Sequence, residues 1–271
     1  MSEDFDLDGY FKRIGYGGGV RPDLETLAAI QAHHVAAIPF EALDPLLGRP
    51  VPLDLAALQA KLVRSRRGGY CFEQNTLLRA ALRAIGFQTT SLGARVLRGH
   101  APGAPLPPRG HMVLLVDLPD GPRIVDVGLG IFLQDAPLRI DSFAEQTTPS
   151  GSYRLEADAG AFTLNIRQGG DWQSAFQFTL EPQHDADYEV ANWFFATHPR
   201  SPFTQMVIMQ RLTDAARIML INTQLVERRR DGSVVERTLA DAAELDDVLD
   251  KTFGIDPPAP AAKVFAKIAA T

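Results

Sequence analysis

The chain has one cysteine in 271 residues, so no intrachain disulfide can hold it together. A single thiol and scattered histidines also exclude the Cys/His spacing of a structural zinc site, and no metal is expected. There is no excess of positive charge. Lys and Arg number 27 against 33 Asp and Glu, for a net charge of -6. Nothing is left over to neutralise the phosphates of a nucleic acid. No run approaches the roughly 18 apolar residues of a membrane span. The start, Met1-Ser2-Glu3-Asp4, is acidic and lacks the apolar centre of a secretory leader. Walker and GxGxxG phosphate loops are missing, and Gly128-Leu129-Gly130 is too short to replace them. No internal repeat is visible. These absences lead us to expect a cytoplasmic protein with no nucleic-acid or membrane partner; monomer and homodimer are both open to it.

What remains is 45% hydrophobic and 22% charged, enough for one large domain or two to three small ones. The first 86 residues read as helical. Leu24, Leu27 and Ala28 start an apolar stripe at helical spacing that runs to Val35. Asp54 is a good N-cap for a helix presenting Leu55, Leu58 and Leu62. A third helix opens at Cys71, carries Leu77, Leu78, Ala81, Leu82 and Ile85, and stops at Gly86. Strands follow at 87–97, 111–116, 123–127, 153–157, 162–167 and 175–180, the pattern of an antiparallel barrel or sandwich. The last third mixes types. Helices are expected at 186–197, 241–253 and around Val264, and strands at 204–210 and 217–227.

Cys71 lies in Arg66-Arg67-Gly68-Gly69-Tyr70-Cys71-Phe72-Glu73-Gln74-Asn75. A helix N-terminus and upstream arginines both favour thiolate over thiol. A buried small hydrophobe is the other reading of a free cysteine. A nucleophile needs a base, and the base needs an orienting group. Of six histidines, only His111 begins an apolar strand. Asp126 is flanked by Val125 and Val127, a costly place for a charge without a partner. The order Cys, His, Asp is that of papain-like thiol enzymes. The hairpin between His111 and Asp126 tests this grouping. A tight turn at Asp120-Gly121 would set Asp126 opposite Leu115, about 13 Å along the strand from His111. Pro119 and Pro122 cannot donate to a ladder and favour a wider connection. We therefore expect no tight turn, and we expect His111 and Asp126 within hydrogen-bond distance.

The cysteine segment resembles the active-site segment of the arylamine N-acetyltransferases. So do Ile38-Pro39-Phe40-Glu41 with Leu43 to Gly48, and the hairpin holding His111 and Asp126-Val127-Gly128. The resemblance covers nearly the whole chain. It implies an α+β protein in a three-domain arrangement with a papain-like thiol-enzyme core. The parts are an N-terminal helical bundle carrying the nucleophile (1–86), an antiparallel β-barrel carrying His and Asp (87–200) and a C-terminal α/β lid (201–271). It implies a Cys71–His111–Asp126 triad that moves an acetyl group to an arylamine, arylhydrazine or N-hydroxyarylamine. Acetyl-coenzyme A is the implied co-substrate, with no permanently bound cofactor and a ping-pong course through acetyl-cysteine. It further implies that Arg67 and Glu41 pair beneath the cysteine, with Arg13 as a candidate third member.

Phe40, Tyr70, Phe72 and Phe203 are candidates for an apolar slot that accepts an aromatic ring, and ordinary core is their alternative role. Leu129, the fifth candidate, stands where an aromatic often lines the family's acceptor pocket. Ala42 and Gly110 also depart from the pattern, where asparagine and threonine are frequent. None of these removes a triad group. Competing readings are a cysteine peptidase, a transglutaminase, an amide synthase of the same family, and a binding module with an inert thiol.

Overall fold

The computed structural model describes residues 5–268 apart from 102, 133 and 169. The acidic start at Met1–Asp4 lies outside the described residues. Helices α1 (Leu7–Ile14), α2 (Leu24–Ala37), α3 (Leu43–Leu46), α4 (Leu55–Leu58) and α5 (Cys71–Ile85) fill the first part of the chain. Asp6, Asp23 and Asp54 cap α1, α2 and α4 through their carboxylates. The expected helix at 55–62 continues past α4 as a wider π turn, Gln59–Arg64, which carries Lys61. One short strand, β1 (Phe40–Glu41), interrupts the helices.

Next come β2 (Gln88–Val96), β3 (His111–Asp117), β4 (Arg123–Val125), β5 (Leu138–Arg139), β6 (Gln146–Thr148), β7 (Gly151–Asp158), β8 (Ala161–Gln168) and β9 (Asp171–Pro182). They form one antiparallel sheet, ordered β5-β4-β3-β2-β9-β8-β7-β6, that curls into a nearly closed barrel. Helix α6 (Asp185–Thr197) follows. The rest comprises β10 (Ile208–Leu212), β11 (Ala216–Ile221), β12 (Gln224–Arg229), β13 (Val234–Thr238), α7 (Ala242–Asp247) and α8 (Ala261–Ile268). A second antiparallel sheet runs β1-β10-β11-β12-β13.

The expected strand at 217–227 is two strands. Asn222 adopts φ 51°, a left-handed turn conformation that asparagine tolerates, and reverses the chain. The strand expected at 204–210 starts later, because Pro202–Thr204 forms a 3-10 turn. The helix expected at 241–253 ends as a π turn, Val248–Phe253, closed by left-handed Gly254.

Three buried apolar clusters hold these layers. One lies under α1, α2 and α5 and includes Cys71, Met112, Leu114 and Val125. A second fills the barrel around Val113, Leu164, Phe176 and Phe178. The third joins Leu43 and Leu46 to the second sheet, α7 and α8. Each fully buried Leu or Phe stabilises the fold by about 1.5–3 kcal/mol. Strand β3 divides the first two clusters, with Met112, Leu114 and Val116 facing the helices and Val113 the barrel. The alternation of a pleated strand thus places His111 on the barrel face, at the seam with α5. Among the described residues, no helix is long and apolar enough to cross a membrane.

Candidate active site

Helix α5 begins at Cys71, so the Cys71 N–H is one of the amides that no preceding helical carbonyl can meet. Glu73 Oε2 accepts from the Tyr70 N–H at 3.0 Å, which fixes the entry of the chain into the helix. The close approach of backbones here requires glycine. A β-carbon on Gly68 would collide with the Pro39 carbonyl, and one on Gly128 would lie 2.5 Å from Cys71 Cα. The thiol is 4% exposed and faces the Gly110 carbonyl, with Sγ 3.6 Å from the oxygen.

His111 and Asp126 are buried, and Nε2 meets Oδ2 at 2.7 Å. That leaves Nδ1 as the ring nitrogen able to serve the thiol. The register that joins them is not that of the tight turn. Leu114 faces Val125 and Val116 faces Arg123, so one further rung would set Asp126 across from Val113. The connection 117–122 contains a turn in which the Gly121 N–H donates to Leu118 O at 3.0 Å. There is no tight two-residue turn, and Asp126 is not directly opposite His111. Strand β4 ends at Val125, and Asp126, free of the ladder, leans the remaining two-residue step toward the imidazole. The Gly128 N–H (2.7 Å) and Asn75 Nδ2 (2.9 Å) both donate to its other oxygen.

Burial alone would lower the His111 pKa. The Asp126 carboxylate and the Cys71 thiol overcome it, and the imidazole is pushed up to about 10. At neutral pH the ring is therefore held as imidazolium between Asp126 and the sulfur. Such an arrangement can sustain a thiolate and later shuttle a proton.

Beneath the nucleophile lies an ion network larger than the Arg67–Glu41 pair. Arg67 Nη2 meets Glu41 Oε1 at 2.6 Å and Asp44 Oδ2 at 2.9 Å. Lys61 bridges Asp44 and Glu73, each at 2.7 Å. Arg13 joins through carbonyls, donating to Leu62, Ala37 and Arg67, and not through a carboxylate as a third ion-pair member would. Burial raises the Glu73 pKa against the lowering pull of Lys61. The polar positions Asp44, Lys61, Glu73, Gln74 and Asn75 escaped the sequence reading because polar residues in a helical stretch ordinarily face solvent. Only Glu73, Gln74 and Asn75 carried a signal, their grouping within one turn after Cys71.

Of the apolar candidates, Phe40, Tyr70, Phe72 and Phe203 are brought together. Phe203 packs 6.1 Å from Phe40 and 5.4 Å from Tyr70 between ring centroids, and Tyr70 is 5.7 Å from Phe72. Phe203 alone of the four is only partly buried. Leu129 is separate and belongs to the barrel cluster. Phe195 was not foreseen. Its ring fills the space that a side chain at Gly110 would need, and it contacts Phe72 and Phe203.

A family model described as N-acetyltransferase matches residues 23–260. The arylamine N-acetyltransferase of Mycolicibacterium smegmatis is 43% identical over 254 residues, covering 93% of this chain and 92% of its own. This chain belongs to the arylamine N-acetyltransferase family. The Escherichia coli arylamine N-acetyltransferase is 39% identical over 92% of this chain and 88% of its own. Among solved structures, the M. smegmatis enzyme superposes with a TM-score of 0.94 at 41% identity, over 99% of this chain and 100% of that one. The Mycobacterium marinum enzyme in complex with CoA gives 0.93 at 37% identity, over 97% and 98%. Family membership makes the chain an acyltransferase and favours the acetyltransferase reading over peptidase, transglutaminase and inert binding module.

Proposed function

We propose that this protein transfers an acetyl group from acetyl-coenzyme A to an aromatic amine, hydrazine or N-hydroxyarylamine through an acetyl-Cys71 intermediate. The observation that carries the reading is the buried 2.7 Å His111–Asp126 pair set beside the thiol at the start of α5. In the first step the Cys71 sulfur attacks the thioester carbonyl. The carbon–sulfur bond to coenzyme A then breaks, and the departing thiolate takes the proton from the His111 imidazolium. In the second step the amine nitrogen attacks the acetyl carbon, His111 receives the amine proton and Cys71 leaves as thiolate. Asp126 holds the ring in one tautomer and stabilises its charged form. The Cys71 N–H, unmatched at the helix start, is a donor for the oxyanion.

Phe40, Tyr70, Phe72, Phe195 and Phe203 form the apolar wall against which an aromatic acceptor would stack. We assign Leu129 to the barrel side of the cleft, where its smaller flexible side chain leaves more room than an aromatic ring. Gly130, next in sequence to Leu129, and Gln210 line a cavity of about 130 Å³. Arg98, Arg217 and Arg228 line it, with no carboxylate among the described lining residues, although the chain is acidic overall. Arg217 and Arg228 pair across β11 and β12, and Arg217 Nη2 donates to the Ser150 carbonyl and the Tyr153 hydroxyl. That setting suits the phosphates of coenzyme A. The layout also suits three domains, with the nucleophile's helix and the barrel strands meeting in a papain-like core. The test is incubation with acetyl-coenzyme A without amine, followed by rapid-quench mass spectrometry. One acetyl group on Cys71 is expected, discharged by added arylamine. An unmodified Cys71 would overturn the proposal.

A further inference from the structure

Asn75 is wholly buried and lies one helical turn beyond Cys71 on α5, so the two side chains share a face. Its amide makes three contacts to three different parts of the site. Nδ2 donates to Asp126 Oδ1 at 2.9 Å and to the Met112 carbonyl at 2.8 Å. Oδ1 accepts from the Val127 N–H at 3.1 Å. Two acceptors on one side and a donor on the other fix which way the amide faces. We infer that Asn75 is a positioning residue for acetyl transfer, holding the Asp126 carboxylate in the plane that His111 needs. The inference rests on the reading of Cys71, His111 and Asp126 given above.

The geometry carries it in two ways. First, among the described residues Asp126 Oδ2 meets His111 alone, so its orientation depends on what holds Oδ1. Two donors do so, Asn75 Nδ2 and the Gly128 N–H. Gly128 lies only two residues further on and moves with Asp126. Asn75 is the donor that comes from outside that segment. It therefore refers the carboxylate to the helix that carries the nucleophile. Second, the Met112 contact fixes the residue next to His111. One side chain thus gauges the separation of all three triad members. The backbone makes way for it, since a β-carbon on Gly128 would lie 2.9 Å from Asn75 Nδ2. Removing the amide would leave Asp126 Oδ1 with the Gly128 N–H only, and its plane free to turn.

The experiment measures acetyl-enzyme formation by rapid quench, per folded molecule, in Asn75→Ala and Asn75→Asp. It adds the pH profile of Cys71 alkylation by iodoacetamide. A fall in acetylation rate on the order of tenfold or more is expected for Asn75→Ala. The KM for acetyl-coenzyme A should hold, and the alkylation profile should be displaced. Asn75→Asp keeps the shape and the Val127 contact but sets a carboxylate against Asp126, and it serves if the alanine variant folds poorly. Its loss should be smaller at pH 6 than at pH 8, because a proton shared by the two carboxylates restores the missing donor. Wild-type acetylation rates and pH profiles per folded molecule, with only the melting temperature lowered, would overturn the inference and leave the acetyl-cysteine reading intact. Absence of acetyl-Cys71 in the unsubstituted protein would overturn both.

Discussion

At the scale of single residues, His111 is governed by a contest between burial and charge. Burial favours the neutral ring, while Asp126 and the sulfur favour the cation, and they prevail. The folded value of about 10 stands above the ordinary value of 6.5. Protonated His111 therefore adds stability that is fully present below pH 6.5 and lost as pH rises through about 10. Urea unfolding at pH 7 and pH 10 should show this loss, and His111→Gln should abolish that part of the slope. Asp126→Asn removes the main charge favouring the cation. The histidine should then titrate lower by NMR, and turnover should fall on the order of 10³-fold because the ring is no longer held in one orientation. Near-normal turnover would reduce Asp126 to a structural carboxylate. These three residues were legible because each was out of keeping with its surroundings: a lone cysteine, a histidine opening an apolar strand, an aspartate between valines. Asn75, Gln74 and His34 were not. A polar residue on a helix looks solvated until the packing of the sheet against it is known.

At the scale of elements, His34 shows how α2 and α5 are joined. Gln74 Nε2 donates to the Pro39 carbonyl at 2.9 Å, so its oxygen must face the ring. His34 thus donates from Nε2 to Gln74 and accepts from the Tyr10 hydroxyl at Nδ1. Burial lowers its pKa to about 4, against the raising contact with Gln74. A depressed histidine destabilises the fold on acidification. Its contribution is present above pH 6.5 and is lost as pH falls toward 4, by roughly 3 kcal/mol in all. Denaturant midpoints at pH 7 and pH 4.5 would check this, compared with a His34→Gln variant that lacks the titrating ring. Gly68→Ala would drive a β-carbon into the Pro39 carbonyl, which cannot yield without moving β1. A loss of about 1–3 kcal/mol is expected from thermal or urea unfolding. Strand β13 escaped the sequence reading for an instructive reason. All five of its residues are exposed, so it shows no apolar alternation.

At the scale of the molecule, the second sheet is assembled from both ends of the chain. Phe40 pairs with Gln210 and Glu41 with Met209, while Leu43 and Leu46 fill the core against β10 and α7. The order of helical, strand-rich and mixed segments could be read from hydrophobic period. The insertion of β1 into the last sheet could not, because two residues carry no periodicity. It follows that a fragment of residues 201–271 lacks an edge strand and part of its core. That fragment should remain unfolded by circular dichroism and NMR, and a folded fragment would show that β1 is dispensable. Glu41 belongs to this junction as well as to Arg67. Glu41→Gln would weaken the charge opposite Arg67, which keeps Asp44, and should cost about 1–3 kcal/mol.

The hairpin between His111 and Asp126 also sets what insertions the protein can absorb. Because side chains alternate, a slip of one rung would turn Asp126 to the opposite face, and a slip of two would carry it about 7 Å along the strand. The turn at Leu118–Gly121 lies outside the paired rungs but is tied to them, because Arg123 donates to the Gly121 carbonyl and to Asp120 Oδ2. A peptide tag spliced between Leu118 and Gly121 should therefore disturb Arg123 and lower acetyl transfer, and undiminished activity would show that the strands hold their register without the turn.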